Sequence, residues 1–268
     1  MSVLIRGLVA GLFGCLIACP ASHGADPKPD PRRAGIEFMS PALQALQRDD
    51  TQNPALLWVQ EGQALWSQPA ERGPACSSCH AEGSQRGMAA RHPAFDSRSG
   101  RPITLAGRID QCRQSHQHQA AEGPEGPAVL ALGAYLAMAS RGLRWAPLTD
   151  TPDTRASQDA HMAPWLARGE QLWQQRLGQL NLACANCHDQ HAGQRLGGAA
   201  IPQAHPTGYP SYRLEWQTLG SLPRRLRSCL VGVRAEPFAP DADEWLALEL
   251  FLARRAAGMA LEGPSVRP

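Results

Sequence analysis

The chain has 268 residues, of which 43% are hydrophobic, and a formal net charge of +2. That length can bury one large core or two small ones. So small a charge, with no run of Lys or Arg, argues against a nucleic-acid-binding surface. Beyond the N-terminal segment, no stretch offers the roughly 18 consecutive apolar residues that a membrane-spanning helix needs.

The first 24 residues have the pattern of a secretory signal peptide. Arg6 precedes an apolar stretch from Gly7 to Ile17, and small residues follow it. This pattern predicts a signal peptide over 1–24 and a mature protein in the periplasm. The segment that ends at Cys19 also resembles a lipoprotein cleavage motif, so lipid anchoring at Cys19 is the alternative.

A helix is predicted shortly before the first cysteine motif. Asn53 and Pro54 suit its N-cap and first position. Four of its residues follow the spacing i, i+4, i+7 and i+8, which places them on one helical face. We expect the tryptophans of this face to pack in the core. The four residues are Trp58, Gly62, Leu65 and Trp66.

The motif CxxCH occurs twice. In a c-type haem site two thiols add to the haem vinyl groups, and the neighbouring His becomes an iron ligand. A zinc site uses similar residues, but two copies behind a signal peptide predict two covalently bound haem c groups. The first copy contains Cys76, Cys79 and His80, and the second contains Cys184, Cys187 and His188.

Other features of the first half recur in the second. Leu130, Tyr135 and Gly142 in a predicted closing helix match Leu246, Phe251 and Gly258. The face of the helix before CxxCH recurs as Trp165, Gly169, Leu172 and Trp173.

Repetition at this scale indicates a duplicated supersecondary unit. We predict an all-α fold, a tandem duplication of two cytochrome c-like helical domains with long haem-wrapping loops and no strands. The N-terminal domain is predicted over 35–147 and the C-terminal domain over 164–268, joined by a largely polar linker over 148–163.

Cys112 and Cys229 lie at matched positions between CxxCH and the closing helix. Each follows an arginine by four residues, Arg108 and Arg225 respectively. Matched positions favour a matched role, as a second ligand of each haem iron. A disulfide between the two cysteines is the structural alternative. Other candidate iron ligands are Met88, Met138, Met162, His92, His116, His118, His191 and His205.

These motifs resemble the SoxA family, the dihaem subunits of the SoxAX cytochromes of bacterial thiosulfate oxidation. The resemblance runs from about Gly35 to the C-terminus and is most specific in the final third, in Val233–Pro237 and Leu246–Leu252. It implies an L-cysteine S-thiosulfotransferase that oxidatively conjugates thiosulfate to a cysteine of the carrier SoxYZ. It also implies a partner subunit, SoxX, and a downstream cytochrome c acceptor.

The resemblance further implies roles for individual residues. Haem 1 would be ligated by His80 and Cys112, and haem 2 by His188 and Cys229. Cys229 would be the catalytic cysteine, which can carry a persulfide, and Arg225 would bind the substrate. A guanidinium can grip the dianionic thiosulfate through two hydrogen bonds. For the neighbouring Arg224 and Arg227 we favour haem propionate contacts or a solvated turn, and Arg234 lies just beyond them.

Two other functions fit the haem motifs. A dihaem electron carrier without catalysis predicts Met or His ligation and no sulfur adduct. A dihaem cytochrome c peroxidase predicts a haem with an open or displaceable position and turnover of hydrogen peroxide.

Overall fold

The computed structural model describes residues 30–146 and 152–268, with the backbone alone for 152–159. The predicted signal peptide and Cys19 lie outside the described residues. Nine α-helices fall within them: α1 Pro41–Arg48, α2 Leu56–Ser67, α3 Cys76–Cys79, α4 Leu105–Gln117, α5 Pro127–Ala139, α6 Pro152–Gln174, α7 Cys184–His188, α8 Leu222–Gly232 and α9 Asp243–Arg255.

Two packed helix pairs organise the molecule, α2 with α5 and α6 with α9. The pairs make the same close contact at a glycine. A Cβ added to Gly62 would lie 2.1 Å from the carbonyl oxygen of Ala131. One added to Gly169 would lie 2.2 Å from the carbonyl oxygen of Ala247. The predicted tryptophan helices therefore pack on the predicted closing helices, and Trp66 and Trp173 are buried as expected.

The start of α2 differs from the prediction. Its N-cap is Ala55 rather than Asn53, and the helix begins at Leu56. The Asn53 side chain instead accepts a hydrogen bond from the backbone N–H of Ala55 at 3.0 Å. Asn53 and Pro54 thus shape the turn before the helix.

The expectation of a chain without strands was wrong. Two or three residues are too few for apolar alternation to show in the sequence, because a strand side-chain pattern repeats every second residue. The strands are β1 Ala94–Asp96, β2 Arg101–Ile103, β3 Arg195–Leu196, β4 Ala199–Ala200, β5 Ser211–Arg213, β6 Thr218–Gly220 and β7 Ser265–Arg267.

The strands form three small sheets. β1 pairs with β2, and β3 with β4, both antiparallel. In the third sheet the central β5 lies antiparallel to β6 and parallel to β7. The C-terminal strand is thereby anchored beside the site described below.

Both halves contribute to one core cluster. Ala55 and Val59 from the first half pack with Tyr212, Leu219 and Val266 from the second. The predicted domain boundaries stay predictions, since 148–151 lie outside the described residues. From 152 onwards the predicted linker is helical and forms the first half of α6.

Among the described residues, no helix is both long enough and apolar enough to cross a membrane.

Candidate functional site

Each CxxCH motif forms a short helix, and its histidine lies at the C-terminal end of that helix. α3 holds Cys76 and Cys79, with His80 as its C-cap, whereas α7 includes His188. A single helical turn brings the two thiols and the imidazole of one motif to the same side of the chain. That arrangement is the one that covalent haem attachment requires.

The two motif histidines contact the tryptophans of the repeated helical face. The Trp66 and His80 rings are stacked with centroids 5.2 Å apart. Those of Trp173 and His188 are 5.7 Å apart. The indole rings therefore fix the plane of each imidazole, which is a role beyond core packing.

The His188 imidazole is oriented as a haem ligand needs. Its Nδ1 lies 2.7 Å from the carbonyl oxygen of Pro202. With Nδ1 donating to that oxygen, Nε2 carries the lone pair and is available to a metal. Burial, the largest cause, lowers the pKa of His188 and so favours the neutral imidazole that binds iron. The residues around His188 thus fit a c-type haem.

Helices α4 and α8 carry the remaining cysteines. Each begins with a hydroxyl N-cap, since Thr104 accepts from the Gly107 N–H and Ser221 accepts from the Arg224 N–H. Cys112 and Cys229 therefore occupy equivalent positions, each eight residues after the N-cap of its helix.

Each of these cysteines lies near its own CxxCH motif. Burial and then the charge of Cys112 raise the pKa of Cys76. Burial and then the charge of Cys229 raise the pKa of Cys184 to about 11. All six cysteines in the described part of the chain are free, so no disulfide joins Cys112 to Cys229. A haem held by either motif could take the facing cysteine as its second ligand.

The alternative iron ligands have different surroundings. Met162 is fully buried in a cluster with Leu250. The imidazoles of His92, His191 and His205 lie within hydrogen-bonding distance of backbone carbonyl oxygens through Nδ1. His116 lines a cavity beside Cys112, and Met88 packs in a cluster that includes Cys76.

The two matched arginines differ in their partners. Arg108 donates to Asp96 at 3.0 Å, and it also donates to Gln111. The Arg225 side chain has no hydrogen bond or ion pair with a described residue, and its charge acts on His188 and on Tyr209. Arg225 is therefore available to an anionic ligand beside Cys229, and Arg108 is not.

The other arginines near Cys229 have different surroundings. Arg224 lies over the Trp216 ring at 4.2 Å and 3.5 Å from Glu125. Arg227 is exposed. Arg234 has a positive φ of 58° just after α8. The roles of Arg224 and Arg227 stay predictions.

Two residues near Cys229 were missed from the sequence. The Tyr209 hydroxyl is buried, which raises its pKa, and the charges of Arg225, Arg213 and Cys229 all act on it. Arg213 ends strand β5 and is 8% exposed. The spacing of 117 residues that relates Cys112 to Cys229 also relates Asp96 to Arg213, and that spacing could have drawn attention to Arg213.

Comparisons with known proteins agree with this geometry. A family model described as SoxA/TsdA, cytochrome c domain, matches residues 61–145 and 168–261. The chain is 33% identical over 249 residues to an L-cysteine S-thiosulfotransferase subunit SoxA of Rhodovulum sulfidophilum, covering 92% of this chain and 83% of the relative. The SoxA subunit of Allochromatium vinosum is 32% identical over 78% of this chain and 72% of its own length.

A solved structure gives the same result. The crystal structure of SoxXA from P. pantotrophus superposes with a TM-score of 0.79 and 28% sequence identity, covering 88% of this chain and 87% of that one. The cysteine motifs, the fold and these similarities agree, and the chain therefore belongs to the SoxA family of haem c-containing cytochromes.

Proposed function

We propose that this chain is the SoxA subunit of an L-cysteine S-thiosulfotransferase. In this proposal thiosulfate is oxidatively conjugated to a cysteine of a SoxYZ carrier. The observation that carries the proposal is that Arg225, which lies one helical turn before Cys229 on α8, has no side-chain hydrogen bond or ion pair with a described residue. The relatives that carry this activity in their names cover most of the chain.

The proposal includes two covalently bound haem c groups on a tandem duplication of cytochrome c-like domains, 35–147 and 164–268 with the linker 148–163. The two segments matched by the family model and the two equivalent glycine contacts support the duplication. Haem 1 would be attached to Cys76 and Cys79 and ligated by His80 and Cys112. Haem 2 would be attached to Cys184 and Cys187 and ligated by His188 and Cys229.

When bound, haem supplies a one-electron acceptor, and thiolate ligation favours its oxidised state. In the first step Arg225 holds the sulfonate oxygens of thiosulfate through charge-assisted hydrogen bonds. The terminal sulfur of thiosulfate then bonds to the Cys229 thiolate sulfur, and two electrons are released as this S–S bond forms. These electrons pass to a downstream cytochrome c acceptor.

In the second step the carrier cysteine attacks as a thiolate. It bonds to the sulfur that came from the terminal position of thiosulfate, and the Cys229 sulfur leaves as a thiolate. No electrons enter or leave in this exchange, so the carrier gains the S–SO₃ unit and Cys229 returns to its starting state. Arg225 orients the unit during transfer by retaining its sulfonate oxygens.

Partners and location complete the proposal. The similarity to a SoxXA crystal structure supports a heterodimer with a SoxX cytochrome subunit. Residues 1–24 are proposed as a signal peptide that exports the chain to the periplasm, with lipid anchoring at Cys19 as the alternative.

The test compares the two matched cysteines. Cys229→Ala should abolish conjugation of thiosulfate to the carrier and alter the absorption of haem 2, because it removes the proposed nucleophile and ligand. Cys112→Ala should retain transfer and alter haem 1. Intact-mass analysis would establish whether both variants carry two haems. A Cys229→Ala protein that conjugates thiosulfate at the normal rate would overturn the proposal in favour of a non-catalytic electron carrier.

A further inference from the structure

The strand pair β1–β2, which precedes α4, has an equivalent in the pair β5–β6, which precedes α8. In the first pair Asp96 lies opposite Arg101, and in the second Arg213 lies opposite Thr218. The offset between these pairs is 117 residues, the same offset that relates Arg108 to Arg225. Register and sequence therefore agree that Arg213 stands where the first half has an aspartate.

In the first half this aspartate neutralises its arginine. Asp96 is 3% exposed and lies 3.0 Å from Arg108. Burial opposes its ionisation, but hydrogen bonds from Ser99, Arg108 and Gln111 lower the pKa of Asp96 to about 2. The positive charge of Arg108 is thus fully balanced within the protein.

In the second half the same position adds a positive charge. Arg213 is 8% exposed, and its Nε is buried without a hydrogen-bond partner among the described residues. Its nearest carboxylate, Glu215, is 3.6 Å away and 61% exposed. A pair of that length and exposure contributes little stabilisation.

The two guanidinium groups also act on each other. Burial and then the charge of Arg225 lower the pKa of Arg213. Burying a cation beside another cation is unfavourable unless an anion accompanies them. Arg213 itself takes the position of Asp96, and no buried carboxylate among the described residues forms an ion pair with Arg213 or Arg225. The arrangement therefore calls for an external anion.

We propose that Arg213 and Arg225 together bind the sulfonate group of thiosulfate beside Cys229. This inference rests on the proposed function and adds a second, strand-borne arginine to the substrate site. Two guanidinium groups match the double negative charge of thiosulfate, and Arg213 Nε has an unused donor for one of its oxygens. A haem propionate also presents anionic oxygens, and the alternative is that Arg213 binds a propionate instead of thiosulfate.

The test uses the haem-loaded mature protein with its partner subunit and carrier. Arg213→Gln should raise the KM for thiosulfate by about tenfold to a hundredfold, the range expected for losing charge-assisted hydrogen bonds. Arg213→Lys should restore only part of the affinity, because it keeps the charge but lacks the planar guanidinium donors. Arg213→Asp should abolish measurable binding, because it recreates the pairing of the first half. Asp96→Asn is the matched control and should leave this KM within about twofold.

Calorimetric titration of thiosulfate into wild type and Arg213→Gln measures binding without turnover. Weaker binding by the variant, with two haems and unchanged absorption, supports the proposal. Unchanged binding overturns it. Loss of haem 2 from the variant also overturns the proposal, as does a shift in haem 2 absorption while thiosulfate binding is unchanged. Either result would assign Arg213 to a haem propionate. A wild-type protein that binds thiosulfate but conjugates none would instead contradict the proposed function alone.

Discussion

At the scale of residues, the two motif histidines have different surroundings. Trp173, whose ring contacts His188, donates its indole N–H to Asp189 at 2.7 Å. Arg255 donates to the same carboxylate at 2.6 Å and lies 4.7 Å from the Trp173 ring centroid. In the first half the residue after the histidine is Ala81, whose side chain cannot accept a hydrogen bond. Only the second histidine is therefore held by a charged cluster.

This cluster predicts a stability loss for Asp189→Ala. The change leaves the Trp173 indole N–H and the Arg255 guanidinium without their acceptor, and a buried unsatisfied donor costs about 1–3 kcal/mol. Urea unfolding of the haem-loaded protein would measure the loss. Asp241→Ala, at an exposed aspartate, is the control and should change the free energy of unfolding by less than about 0.5 kcal/mol. Equal effects of the two changes would contradict a structural role for the cluster.

At the scale of elements, glycine permits the closest helix contacts in both halves. α2 approaches α5 at Gly62, and α6 approaches α9 at Gly169. At both positions a methyl group would overlap a backbone carbonyl, which cannot move without displacing its helix. The two contacts therefore set the distance between the helices that flank each haem motif.

Substitution of either glycine by alanine should be strongly destabilising. Gly62→Ala and Gly169→Ala should each lower the free energy of unfolding by about 1–3 kcal/mol or more, as overpacked cores do. Gly232→Ala is the matched control, because a Cβ there meets no atom within 4 Å. It should be neutral or slightly stabilising, since alanine favours helix. Thermal unfolding of the three variants would rank them, and tolerance of both tight glycines would contradict the packing.

The length of each helix or strand determined whether the sequence could predict it. Helix period and repeated residues identified α2, α6 and the closing helices, and short motifs identified Cys229 and Arg225. The strands went unnoticed because each is two or three residues long. Arg213 lies on one of these short strands, so no local pattern marks it, and only the 117-residue offset relates it to Asp96 in the sequence. Functional residues on such elements have no local signal in a single sequence.

At the scale of the whole molecule, the two halves enclose a cavity of about 120 Å³. Its lining comes from both halves and is largely apolar, with Gly133 and Leu130 on one closing helix and Glu249 on the other. Gly133 and Glu249 are equivalent in the repeat, three residues after Leu130 and Leu246. The duplicated halves thus differ here too, with a carboxyl group in one and no side chain in the other.

Glu249 should make the stability of the protein depend on pH. Burial raises its pKa from 4.5 to about 8. Between these values the folded chain holds a proton that the unfolded chain has released, so the free energy of unfolding should fall as pH rises through this window. The stabilisation from neutral Glu249 is complete below pH 4.5 and is lost as pH rises through about 8.

Urea unfolding at several pH values between about 5 and 8 would test this dependence. Glu249→Gln should reduce the decrease in the free energy of unfolding with rising pH, because glutamine is neutral throughout and keeps the shape of the protonated carboxyl. Glu244→Gln on the same helix is the control. A hydrogen bond from Arg168 lowers the pKa of Glu244, so it titrates below this window and its loss should leave the slope unchanged. An unchanged slope in Glu249→Gln would mean that the carboxyl is ionised in the folded protein, and the cavity would then have to contain a compensating charge.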